Sequence, residues 1–228
     1  MPYDSDIIVV GCGNVLFKDD GFGPIVINLL QKYTDDKNDY YDPAVTSYVE
    51  DEFDKDILAQ IEKKFEGITL PDSVQFVDGG TAAPTNFFPL YAEYDWKKLI
   101  VIDVVEFNAE PGTVDVFDPN VMQKGKYDNP HGMTVENPLQ EISQKCEVVI
   151  VGCKPAEIPT PDVDLGLTEP VEKAIPEAID DVSVSTLLQY NMWIAQEIDL
   201  ANEPDEELYI ALQEEYEVLE MYVADKNG

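Results

Sequence analysis

Two aspartates and a histidine supply the chemistry that stands out in this chain. Asp103 interrupts the apolar run from Leu99 to Val105. A carboxylate in such a run is costly unless hydrogen bonds or a metal satisfy it, so Asp103 is either a hydrogen-bonded structural acid or a functional one. Asp20 lies in Asp19-Asp20-Gly21, just ahead of Ile25, Val26, Leu29, Leu30 and Tyr33, an apolar set with helical spacing. Read alone, Asp20 suits a helix-capping acid. His131 is the sole histidine and sits in the turn-like stretch Asn129-Pro130-His131-Gly132. Read alone, it suits an exposed loop. Together, two carboxylates and one imidazole make a mixed oxygen and nitrogen ligand set suited to divalent nickel or zinc, with positions left open for substrate or water.

Other motifs weigh less. Cys12 and Cys153 fall just past apolar runs, where a free cysteine behaves as a small hydrophobe; a thiolate ligand or nucleophile is the rival role. Gly11-Cys12-Gly13 after the first apolar run, with Asp78 further on, imitates a dinucleotide site. The third glycine would fall at position 16, which is Leu16, and Asp78 stands about sixty-five residues on, not about twenty. The following helix opens with Asp19-Asp20, carboxylates where a diphosphate needs positive charge. Nucleotide binding is therefore not expected, and no phosphate-binding P-loop is present.

The elements that must position these residues follow from pattern. Ile7-Val10 is a short β-branched run with the look of a parallel strand buried on both faces, and Val74-Val77, Leu99-Ile102 and Val148-Val151 read as further strands. Thr113 to Phe117 alternates polar and apolar, which predicts an antiparallel edge strand. Helices are predicted at roughly 20–33, 51–65, 84–96, 134–145, 168–180, 184–199 and 204–224. Alternating strands and helices imply a three-layer α/β/α sandwich. Asp20 and Asp103 then both follow strand ends at one edge of the sheet, where open α/β sheets bind ligands, and a loop bearing His131 can cover that edge. Residues 1–199 are read as one domain with an insertion at 34–70, and residues 200–228 as a C-terminal helical appendage.

Composition narrows the partners. Acidic residues number 47 against 14 basic ones, all lysine, for a formal charge of −33. Such a surface repels nucleic acid and anionic lipid, so neither is expected as a partner. No apolar run of transmembrane length occurs, and Met1-Pro2-Tyr3-Asp4 is unlike a signal peptide. Three cysteines without a paired framework suit a reducing, cytoplasmic setting.

At these residues the sequence resembles the hydrogenase maturation endopeptidases. The blocks are Val9 to Gly23, Asp78-Gly79-Gly80-Thr81, Ile100 to Val104 with Glu110-Pro111-Gly112-Thr113, Pro130-His131, and Val151-Gly152 with Pro155, Glu157 and Gly166-Leu167-Thr168. They occur in family order, and several phrases look closest to the archaeal subgroup serving coenzyme F420-reducing hydrogenase. The resemblance implies a five-stranded, mostly parallel sheet of order 2-1-3-5-4 with strand 4 antiparallel. It implies a metal site of Asp20, Asp103 and His131, with Asp20 one methylene shorter than the glutamate of many relatives. It also implies removal of a C-terminal extension from a hydrogenase large-subunit precursor after nickel insertion.

On that reading Asp20, Asp103 and His131 complete the coordination of nickel held by the substrate rather than by the enzyme. Zinc or cadmium is the ion expected to take its place in a crystal. A carboxylate serves as general base, as in an aspartic-type peptidase, and Asp78, Gly79, Gly80 and Thr81 hold the peptide backbone. The rival readings are a zinc hydrolase on the same scaffold and a metal-binding or chaperone-type module that docks the precursor without cutting it.

Overall fold

The computed structural model describes residues 3–33, 48–49, 53–65, 73–120, 136–159 and 162–200. Its centre is a five-stranded sheet of β1 (Ile7–Cys12), β2 (Val74–Gly80), β3 (Lys98–Val104), β4 (Val114–Phe117) and β5 (Glu147–Cys153), in the order β2-β1-β3-β5-β4. All pairings are parallel except β4 with β5, as the alternating segment at 113–117 predicts. Every residue of β1 and β3 is buried, which is why both read as continuous apolar runs. The starts of β3 and β5 are fastened by the buried Lys98, a register partner of Glu147, whose ammonium lies 2.8 Å from the Glu147 carboxylate.

One face of the sheet carries α1 (Phe22–Tyr33), packed on β1, β2 and β3. The opposite face buries Ile8, Val10, Leu99, Val101, Val148 and Ile150 in a cluster with Phe87, Phe88, Trp96, Leu139 and Ile142. The last two belong to α3 (Glu136–Ile142), and α2 (Lys55–Phe65) precedes β2. The predicted helix at 84–96 is replaced by two short irregular turns, Ala83–Phe87 and Phe88–Ala92. Pro84 and Pro89 lack the N–H groups that a regular helix spends there.

The chain divides into two compact units, residues 1–181 and 182–228. Helix α4 spans Glu169–Leu200 without interruption, where two helices were expected. The stretch between them, Asp181-Val182-Ser183, holds no glycine or proline to end a helix. The predicted helix at 204–224 and much of the 34–70 insertion lie outside the described residues. No helix of the described residues is long and apolar enough to cross a membrane.

Candidate active site

The site is built where β1 ends. After Cys12 the chain turns through Gly13 at φ +128, and a Cβ there would stand 1.9 Å from the Asp20 carbonyl oxygen. Only glycine permits that crossing. The crossing is closed by Asn14, whose N–H donates to the Asp20 carbonyl at 3.0 Å. Asp20 itself lies in a single 3-10 turn, Lys18–Gly21, and is fully buried. Helix α1 follows at once and approaches the sheet closely. A Cβ on Gly23 would meet the Cys12 and Ile102 carbonyl oxygens at 2.3 and 2.5 Å.

Strand register brings the other carboxylates to the same edge. Gly11 is opposite Asp78 on β2 and opposite Ile102 on β3, so Asp78 and Asp103 flank the end of β1. Asp103 is 5% exposed, and its Oδ1 accepts from the Val104 N–H at 2.8 Å. Asp78 Oδ1 accepts from the Gly80 N–H at 3.0 Å, a local turn that ends β2. At the centre lies Cys12. Its thiol is pushed well above the usual range by burial first, then by the negative charges of Asp103, Asp78 and Asp20. One thiol thus feels all three carboxylates, in keeping with their place at this edge of the sheet. The same shift keeps Cys12 protonated near neutrality, which removes it as a nucleophile. Cys153 is shifted upward as well, by burial and then by Asp19 and Glu177.

Asp19 is the site residue whose role sequence reasoning missed. Its side chain is fully buried and accepts four hydrogen bonds. Oδ1 takes the Thr168 N–H at 2.7 Å; Oδ2 takes the Ala156 N–H, the Glu157 N–H and the Thr168 hydroxyl at 2.8, 2.9 and 3.0 Å. One carboxylate therefore latches the turn bearing Asp20 to the loop between β5 and α4. Neighbouring contacts reinforce the latch. Lys18, at the unusual φ of 48, donates its N–H to the Asp164 carbonyl, and its ammonium pairs with Glu157 and Asp164 at 2.7 and 2.9 Å. The loop is braced from its other side by Tyr48 of the insertion, whose hydroxyl accepts from the Leu167 N–H and donates to Glu172. The signal for Asp19 lay in the motif blocks: Glu157 and Gly166-Leu167-Thr168 are the segments it holds.

The remaining expected residues fall as follows. Asp20, Asp78 and Asp103 lie at the same carboxyl edge of the sheet; His131 lies outside the described residues. Gly79 serves the core, because Val10 and Ala83 fill the space a side chain would need. Gly80, at φ +54, faces open space, and Thr81 is exposed in the turn beyond it. Among the described residues no three His, Cys, Asp or Glu side chains stand close enough to share an ion. Asp20 and Asp103 offer hard oxygen donors, suited to completing a metal's coordination from one side. A separate cleft lined by Asp4, Tyr94, Trp96 and Lys145 opens beside the residues that precede β1, β3 and β5, away from these carboxylates.

Comparison with known proteins gives the family. The hydrogenase maturation protease family profile matches residues 59–184. The chain is 48% identical over 189 residues to a protein of Methanothermobacter thermautotrophicus named coenzyme F420 hydrogenase subunit delta, covering 81% of this chain and 99% of that one. It is 25% identical to the hydrogenase expression/formation protein HupD of Rhizobium leguminosarum, covering 78% and 73%. In fold it is similar to the hydrogenase maturating endopeptidase HybD from E. coli, with TM-score 0.51, 21% identity and coverage of 81% and 93%. The sheet order, the 48% identity and the extent of the profile match converge: the chain belongs to the hydrogenase maturation protease family.

Proposed function

We propose that this protein is the endopeptidase that removes the C-terminal extension of a nickel-containing hydrogenase large-subunit precursor, after nickel has been inserted. The observation that carries the reading is the placement of Asp20 and Asp103 beside the end of β1 at the carboxyl edge of the sheet, in a chain of this family. The likeness to the Methanothermobacter protein favours the F420-reducing hydrogenase as the source of the precursor.

The substrate brings the metal. Nickel held by the precursor's cysteines takes oxygen donors from Asp20 and Asp103 and a nitrogen donor from His131, which fixes the scissile peptide against the site. One carboxylate takes a proton from the attacking water as its oxygen bonds to the scissile carbonyl carbon. The C–N bond then breaks, and the proton passes to the departing amine. Gly80, open and without a side chain, leaves room for the peptide backbone. The three free cysteines suit a reducing cytoplasm.

The test is cleavage of purified precursor in its nickel-loaded and nickel-free forms. The nickel-loaded form is cut and the nickel-free form stays whole; equal cleavage of both defeats the checkpoint. His131→Ala abolishes cutting, and unchanged cutting removes His131 from the site. Binding without cutting by the unaltered protein would favour a docking module, and stoichiometric zinc in the purified protein a zinc hydrolase.

A further inference from the structure

The latch that Asp19 holds presents apolar side chains to solvent. The Leu16 carbonyl accepts from the Asp164 N–H at 3.0 Å, and the Lys18 N–H donates to the Asp164 carbonyl at 2.8 Å, so segments 16–18 and 163–165 run side by side. Four large apolar residues are exposed among the described residues: Leu16 at 40%, Val116 at 44%, Val163 at 62% and Leu165 at 56%. Single exposed residues of this kind are ordinary, but three of these four lie on the two segments of one bridge. Leu16 is four residues before Asp20, on the segment that leads into the Lys18–Gly21 turn.

We propose that Leu16, Val163 and Leu165 form the docking surface for the precursor, and that they receive an apolar segment flanked by lysine or arginine. This rests on the reading of the site given above. Two features define the occupant. The cluster lies on the segment that leads into the turn carrying Asp20, and that segment is bonded to 163–165. Its rim carries the carboxylates of Glu157, Asp162 and Asp164 against the single ammonium of Lys18, so a basic flank is attracted and an acidic one repelled. Four hydrogen bonds to Asp19 and the ion pairs of Lys18 already order the surface, so little freedom is lost when a partner lands.

The experiment titrates the nickel-loaded precursor of the F420-reducing hydrogenase large subunit onto the immobilised protein. Wild type is compared with V163S/L165S, with L16S and with V116S, each first checked for an unchanged melting temperature. The dissociation constant rises about tenfold for V163S/L165S and severalfold for L16S, while V116S, on β4, matches wild type. Equal affinity of wild type and V163S/L165S overturns the proposal. L16S, on the other strand of the bridge, decides the matter if the double variant fails to fold. Wild type that binds but leaves the precursor's mass unchanged removes the proteolytic reading, and the affinities still decide the docking surface. Wild type that does not bind overturns both.

Discussion

Asp19 and Asp20 are neighbours and equally buried, yet their carboxylates act on different surroundings. Asp20 acts on the Cys12 thiol together with Asp78 and Asp103, whereas Asp19 spends both oxygens on Ala156, Glu157 and Thr168. Hydrogen bonds to a buried charge are the strong kind, and losing one partner leaves the others unsatisfied. Asp19→Ala is therefore expected to cost about 3 kcal/mol of stability, seen as a drop of roughly 10 °C in melting temperature by calorimetry. A change within about 1 °C would mean that the loop is held by other contacts. The sequence distinguishes the two acids poorly. A pair ahead of a helix suggests capping for either one, and the partners of Asp19 lie more than a hundred residues away. Asp103 was easier to read, because a charge inside an apolar strand needs an explanation wherever it is met.

Elements position these residues by close approach. Strand β1 and helix α1 meet where Gly23 lies against backbone atoms of Cys12 and Ile102, which cannot yield as a flexible side chain can. Gly23→Ala forces α1 outward and is expected to cost about 2–3 kcal/mol. Gly80→Ala meets no neighbour within 4 Å and carries only the strain of its positive φ, about 1 kcal/mol. Chemical denaturation of both variants checks the contrast; equal costs would show that α1 has room to spare. Strands β1 and β3 were legible because burial on both faces writes continuous apolar runs, and β4 because its residues alternate. The segment 84–96 was not, because its apolar spacing is helical while its prolines forbid the hydrogen bonds. The continuity of α4 was missed for the opposite reason: its polar stretch at 180–183 resembles a break but contains no breaker.

For the molecule as a whole, the sheet order and the carboxyl-edge location of the acids follow from strand pattern and family motifs together. The docking bridge does not follow, because Leu16 and the pair Val163 and Leu165 become neighbours only through folding. A formal charge of −33 with no arginine disfavours acidic partners, and exposed acids need not be paired to be tolerated in water. The central claim is that Asp20 and Asp103 serve a cutting site. The direct measurement is the intact mass of the hydrogenase large subunit after co-expression with the protein or with its Asp103→Asn variant. The account predicts a subunit shortened at its C-terminus with the wild type and the full-length precursor with the variant. A full-length subunit with the wild type, or a shortened one with the variant, would contradict it.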